Sequence, residues 1–516
     1  MYSGFVWAIH NRIIYDIIFV PSKKDMPQIT PFVWLAIGGV FATLCLGRGT
    51  VALAAWLAPI FLLRFARVMP PFAGLLSIWL VLLVAGIVSN RGVIPLSGPA
   101  YFGVVLMIAI ALTLSYVADR LLASKFAGLA STLIFPLACV AVEFINTRTS
   151  PFGSWGSVAY TQYGNLPLMQ LASVTGIFGI AFLIAWFASV VNWAWDHDFA
   201  WYAIRGGVFP YAGVFSLVML AGAARLSLGP SDVKSIRAAV VSGPDGIFNP
   251  GEEMRFLHGE VRDEERSQFR EAFGRLQDWF LENTRREARA GARIVVWPEV
   301  NLLVFKEDET TFLKRAQRLA GEERIYLLMG MGVLRLGVSR PLENKAVFLN
   351  PAGEIEFSYL KSRLVPGGEA KVSSPGNGRL PICDTQYGRM GAAICYDMDF
   401  PQLIQQAGRA EAEVLLVPAN DWVIIKYLHL QMAVFRAIEN GVSMVRATKG
   451  GVSGAVDAFG RTLAVTDHFS PGAQAMIAQV PLTRVSTIYT RVGDLFAWLC
   501  VASLLILIAA ALRVIR

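Results

Sequence analysis

A layered α/β domain inserted into an all-α bundle of about eight membrane helices is the architecture this sequence leads one to expect. Three observations carry that expectation. Of 516 residues, 55% are hydrophobic and 16% charged, where an ordinary soluble protein has about 25% charged. The charge is also unevenly spread, with 13 Asp, Glu, Lys and Arg residues in 32–225 against 63 in 226–491. Finally, the charge-poor part reads as long apolar runs, and the charge-rich part alternates short β-branched runs with amphipathic helices.

Residues 1–31 form an N-terminal unit whose stretch Phe5 to Val20 is interrupted by His10, Asn11, Arg12 and Asp16. It is expected to lie in the membrane interface, and with no small-residue cleavage site after it, it does not read as a removed signal. The membrane unit 32–226 holds seven runs able to cross about 30 Å of hydrocarbon, near 32–47, 50–68, 72–90, 99–118, 126–145, 168–194 and 207–226. An eighth, 495–513, lies in the C-terminal unit 492–516. Alternate loops carry nine basic residues (Lys23, Lys24, Arg64, Arg67, Arg120, Lys125, Arg205, Arg513, Arg516) against three (Arg48, Arg91, Arg148). The positive-inside rule then puts both chain ends in the cytoplasm and the unit 227–491 outside it. An ion relay needs ionisable groups at mid-membrane, but Glu143 sits at a span end. A scaffold holding lipid beside an external domain fits better.

Net charge +8 and a pI near 9.2 do not indicate nucleic acid, because the basic residues are scattered and several flank apolar runs. The five cysteines show neither a disulfide framework nor a zinc spacing, and the five histidines form no ligand pair. Neither a metal nor another cofactor is therefore expected.

Within 227–491, strands are expected at Ile236–Ser242, Arg293–Trp297, Ile325–Val333, Ala346–Asn350, Ile355–Leu360, Met390–Cys395, Val414–Pro418, Ser443–Thr448 and Gly454–Asp457. Helices are expected at Glu264–Ala290, Thr310–Glu322, Pro401–Arg409 and Tyr427–Asn440. Three strands end in a reactive residue. Glu299 follows Ile294-Val-Val-Trp-Pro, and a carboxylate losing hydration there should have a raised pKa suited to proton transfer. Lys361 follows Tyr359-Leu and can stabilise an oxyanion. Cys395 closes Gly391-Ala-Ala-Ile, and a thiolate beside Lys361 would be a strong nucleophile. Taken singly, each is more commonly a cap, a solvated lysine or a core cysteine; the ordered set is what carries weight.

That set, with Trp297-Pro-Glu299 and Ile394-Cys-Tyr-Asp397, resembles the nitrilase, or carbon–nitrogen hydrolase, superfamily. The resemblance implies an α-β-β-α sandwich with Glu299 as general base and acid, Lys361 as oxyanion stabiliser and Cys395 as nucleophile. Seven apolar runs before the domain and one after it resemble the apolipoprotein N-acyltransferase family. So do Glu143 with Pro151-Phe-Gly-Ser-Trp155, and Lys361-Ser-Arg-Leu-Val-Pro-Gly-Gly-Glu369, which is similar to a KRHLVPFGE segment of that family. Asn420-Asp421-Trp422, Gln431-Met432 and Arg446-Ala-Thr448 match later blocks. By this resemblance Tyr396 offers a backbone N–H to the oxyanion, and Glu369, Asp397 and Asn420 complete the site. Asp397 stands where the family usually has Glu, Val241-Ser-Gly-Pro244 where it has VQGN, and the loop after Asp421 is shorter.

The implied activity is phospholipid-dependent acyl transfer to the N-terminal amine of a diacylglyceryl-cysteine lipoprotein through a thioester, in the cytoplasmic (inner) membrane. Its partners are a phospholipid donor, a diacylated lipoprotein and the membrane. The alternative is a membrane-tethered amidase hydrolysing a small extracytoplasmic amide, and a catalytically dead interaction domain comes last. For transfer, water must be kept from the thioester, and Phe305, Val423, Ile424 and Ile425 are candidate shields.

Overall fold

The computed structural model describes residues 30–45, 47–230, 233–244, 255–470, 472 and 475–514. The stretch Phe5 to Val20, and Lys23, Lys24 and Arg516 of the loop count, lie outside these. Every expected apolar run is helical: α1 Thr30–Thr43, α2 Ala52–Val68, α3 Pro71–Ser89, α4 Gly98–Leu122, α5 Leu129–Thr149, α6 Ile177–Asp196 and α7 Trp201–Ser227, with a last helix Leu495–Val514. Six are long and apolar enough to cross a membrane. The 14-residue α1 and 17-residue α2 fall short of the roughly 20 residues a span needs, so the expected eight spans become six among the described residues.

The run 168–194 is not one helix. Gly176 adopts φ +64, where a Cβ would lie 2.8 Å from the Tyr489 ring. It breaks the run into the one-turn helices Leu166–Met169 and Ala172–Thr175 followed by α6. At one end of the bundle, ion pairs tie three helices: Arg64 meets Asp196 at 2.6 Å, and Arg67 meets Asp119 at 2.7 Å and Asp196 at 3.2 Å.

The remaining strands are β1 Ser235–Val241, β2 Ile294–Val296, β3 Leu302–Phe305, β4 Tyr326–Leu334, β5 Leu342–Leu349, β6 Ile355–Leu360, β7 Ile382–Thr385, β8 Gly388–Ala392, β9 Val414–Asn420, β10 Ser443–Lys449, β11 Val452–Val456, β12 Thr462–Asp467 and β13 Ala475–Pro481. They form two sheets, ordered β13-β1-β2-β4-β5-β6 (with β3 on β4) and β12-β11-β10-β9-β8-β7. All nine expected strands are present. Of the four unexpected ones, β3 and β7 have only four residues each and β12 reads Thr-Leu-Ala-Val-Thr-Asp, whereas β13 is a seven-residue alternating strand, Ala-Met-Ile-Ala-Gln-Val-Pro.

Period-two alternation builds the layers. Ala238, Val240, Ile294, Val296 and Phe348 face Met390, Ala392 and Leu416 between the sheets. Ala239, Val295, Leu327 and Met329 face outward onto Leu276 and Phe280 of α8 (Arg266–Arg289) and Phe312 and Leu319 of α9 (Glu309–Glu323). The second sheet is covered by α10 (Pro401–Arg409) and α11 (Lys426–Asn440). Every residue from Leu430 to Asn440 except Gln431 is buried, because α11 also meets the membrane part, where Tyr160 packs edge-on to Phe435 at 5.2 Å. The α-β-β-α sandwich thus rests on the bundle through one continuous apolar core.

Candidate active site

Three strand ends converge where the sheets meet. Beyond β2, Trp297 still pairs with Leu328, and the N–H of Glu299 reaches across to the carbonyl of Ala419 on β9 at 3.3 Å. Lys361 leaves β6 with its N–H on the Asn344 carbonyl at 2.9 Å. Cys395 follows β8 at φ +46, a left-handed conformation costly for a residue with a Cβ and characteristic of strained functional turns. It opens a one-turn 3₁₀ helix, Cys395–Asp399, whose first N–H groups, Tyr396 included, have no intrahelical acceptor.

The side chains of Glu299, Lys361 and Cys395 are buried together. Lys361 Nζ lies 2.6 Å from Glu299 Oε1 and 2.8 Å from Glu369 Oε2. Asn344 Nδ2 donates to both carboxylates, at 2.7 and 2.8 Å, and the Val365 N–H closes onto Glu369 at 2.9 Å. Asn344 was not anticipated, because an asparagine inside a strand carries no motif. Burial works against the ammonium, but Glu299 and Glu369 outweigh it and hold Lys361 well above its ordinary pKa.

The surroundings of Cys395 work against the expected thiolate. Burial first, then Glu299, push the Cys395 thiol well above its ordinary value, because Lys361 and Arg446 only partly offset them. Cys395 Sγ lies 3.7 Å from the Asn420 carbonyl, so Asn420 meets it through its backbone.

Asp397 sits behind the turn. Its carboxylate accepts N–H groups of Ser362 (3.2 Å), Arg363 (2.8 Å) and Ile394 (3.0 Å), and the Tyr359 hydroxyl at 2.8 Å. Burial outweighs these bonds and raises it to about 6. It locks the lysine loop to the cysteine turn, and this fully enclosed site has room for Asp.

The membrane part clasps the same turn. Tyr396 donates its hydroxyl to the Pro151 carbonyl at 3.0 Å, and Ser154 donates both N–H and Oγ–H to the Asp399 carbonyl at 2.8 Å. A Cβ on Gly153 would stand 2.4 Å from that carbonyl, so only glycine permits the approach. Trp422 Nε1 donates to the Gly92 carbonyl at 2.7 Å.

Between these elements opens a cavity of about 250 Å³ lined by Glu299, Lys361, Glu369 and Cys395 together with Phe152 and Trp155. A second cavity of about 240 Å³ lies in the bundle, with Ile94, Phe152 and Trp155 common to both walls. Glu143 lines it and accepts from Ser157 Oγ at 2.5 Å. Of the candidate shields, Ile425 lines the first cavity and Ile424 packs on Gly92. Val423 is 55% exposed, whereas Phe305 is on β3 in a separate cluster with Phe256, Phe269 and Phe273. Strand pairing to β4 turns Phe305 away from the cavity.

Cys395, Asp421 and His429 offer donor atoms within 4.8 Å of one another. Arg446 NH2 lies 2.9 Å from both Asp421 oxygens and 3.0 Å from His429 Nδ1. A guanidinium already stands where a metal would compete for those donors, so the group reads as an ion-pair network. Sequence reasoning missed His429: it lies eight residues after Asp421 with no recognisable spacing, and only folding α11 onto β9 and β10 joins them.

A two-sheet sandwich of this order, with a cysteine, a lysine and two carboxylates in its cleft and a helical bundle beneath, defines a membrane-bound member of the nitrilase superfamily. Residues 270–489 match the carbon–nitrogen hydrolase family, and residues 38–190 match the apolipoprotein N-acyltransferase N-terminal domain. The chain belongs to the apolipoprotein N-acyltransferase family. It is 28% identical to the apolipoprotein N-acyltransferase of Geobacter metallireducens over 99% of this chain and 95% of that one. It is 27% identical to that of Bradyrhizobium diazoefficiens over 81% and 79%. Among solved structures, an amidase from Nesterenkonia sp. aligns with TM-score 0.38 and 19% identity over 51% of this chain and 95% of its own.

Proposed function

We propose that this protein transfers an acyl chain from a membrane phospholipid to the N-terminal amine of a diacylglyceryl-cysteine lipoprotein. The observation that supports the reading is the adjacency of the two cavities: a cysteine beside a carboxylate and a cation lies in one, and the other, in the bundle, shares Ile94, Phe152 and Trp155 with it and offers a largely apolar lining for an acyl chain. Cys395 Sγ attacks the ester carbonyl as its proton passes to Glu299. Lys361 and the Tyr396 N–H stabilise the oxyanion. Collapse breaks the ester C–O bond, Glu299 returns the proton to the departing lysophospholipid oxygen, and a thioester remains. The lipoprotein amine then attacks, giving a proton to Glu299. The C–S bond breaks, sulfur takes the proton back and the amide leaves. Glu369 and Asn344 hold Glu299 and Lys361 in register.

The site belongs on the extracytoplasmic side of the cytoplasmic membrane. The loop charges support this, and α1 and α2 are consecutive, so counting or discounting both as spans leaves the orientation unchanged. The test is purified enzyme with labelled phospholipid. A Cys395-linked acyl-enzyme should persist with donor alone and be discharged by a diacylated lipopeptide with a free α-amine, but not by its N-acetylated form. Rapid release of free fatty acid without acceptor would overturn transfer in favour of hydrolysis.

A further inference from the structure

Beside Cys395, with Asp421 and His429 in the wall of the same cavity, lies a buried charge group for which the reaction above has no use. His429 Nδ1 is 2.7 Å from Asp421 Oδ1, and its Nε2 is 3.4 Å from Asp399 Oδ1. Arg446, on β10, shares Asp421 with the imidazole, its NH2 standing 2.9 Å from Oδ1 and 3.0 Å from His429 Nδ1. Among the described residues neither Asp399 oxygen accepts a hydrogen bond, so its charge is answered chiefly through space. The groups facing this cluster are Cys395 from the strained turn, Arg446 from β10, Arg436 from α11 itself, whose charge reaches Asp399, and Tyr160 and Tyr396. Trp155 from the membrane loop adds an uncharged ring 6.0 Å from the imidazole. His429, Asp421 and the cysteine sulfur present atoms within 4.8 Å of one another.

We infer that His429, held as a cation between Asp421 and Asp399, is a positioning residue whose charge keeps the acidic group beside Cys395 neutral and so governs how readily Sγ loses its proton. With His429 and Arg446 charged, the two carboxylates are balanced. With His429 neutral, a net negative charge faces the developing thiolate at short range in a medium of low dielectric, where it opposes ionisation strongly. Burial disfavours the imidazolium, but Asp399 and Asp421 outweigh burial and raise His429 to about 9. The cation is therefore present at neutral pH and lost in mild alkali.

This inference rests on Cys395 being the nucleophile, and its test needs no lipid. The full-length protein in detergent is treated with iodoacetamide, and alkylation at Cys395 is followed by mass spectrometry as a function of pH. In the wild type the logarithm of the rate should climb with pH and bend near pH 9 as His429 discharges. His429→Asn keeps a donor toward Asp421, and His429→Gln keeps one toward Asp399. Each should lose the bend and react at least about tenfold more slowly at neutral pH. If either neutral variant retains the wild-type rate, hydrogen-bond geometry suffices and the charge role is overturned. A straight wild-type profile overturns it whether or not the variants fold. Failure of lipopeptide acylation with the bend intact would remove only the proposed function.

Discussion

The active-site cavity and the bundle cavity share Ile94, Phe152 and Trp155 as a common wall, yet they are built oppositely. The first gathers Glu299, Lys361, Glu369, Asp421 and His429 around one cysteine. The second is lined by small and aliphatic residues such as Ala55, Ala58, Leu62, Ala111, Ile184 and Ala185, with Glu143 the one carboxylate among its described lining residues. Charges can be collected in the first because the sandwich supplies partners for each. Lys361 has two carboxylates and Asn344 bridges them, whereas unpaired buried charge would cost several kcal/mol. The bundle needs no such network, since lipid and acyl chain are equally apolar. Reactivity and chain holding are thus separable, and substitutions can address each alone.

The largest effect is expected at the nucleophile. Cys395→Ala should reduce acyl transfer by about 10⁴-fold or more, measured with labelled phospholipid, while Cys383→Ala on β7 retains activity. Equal losses would mean that thiol position, and with it the strained turn, is unimportant. Glu299→Gln comes next. It should lower turnover by roughly 10²–10⁴-fold with the thermal midpoint nearly kept, because Glu369 still pairs Lys361. Unchanged turnover would make Glu299 structural.

In the bundle, Ala58→Phe or Ala185→Phe should shift the donor preference toward shorter chains by about tenfold, read by competition between donors of two lengths. Cys395 alkylation should stay as in the wild type. If alkylation changed too, the two cavities would not be separable.

The smallest effect concerns the joint between lysine loop and cysteine turn. Asp397 holds its proton up to about 6 in the fold against 3.8 in an unconstrained chain, so the folded state binds the extra proton between those values. Its contribution is fully present below about pH 4 and lost as pH rises through about 6, a change of about 2–3 kcal/mol. The thermal midpoint of the purified protein should fall over that interval, and Asp397→Asn should flatten the slope.

The sequence alone determined which candidate residues stand at the strand ends and the order of most elements, for a physical reason. Chemistry is carried by residue type at strand ends, as with Trp297-Pro-Glu299 and Ile394-Cys395, and buried strands and membrane helices announce themselves by continuous or alternating apolarity. What tertiary structure decided is what lies far apart in sequence. Gly176 split an apolar run that looked continuous, and among the described residues six of the eight expected runs are helices long and apolar enough to cross a membrane. Asn344 became the bridge between two carboxylates, and Phe305 left the site for a core of its own. The upward push on the Cys395 thiol also belongs to the fold: burial, and then Glu299, outweigh the lysine that sequence order placed beside it.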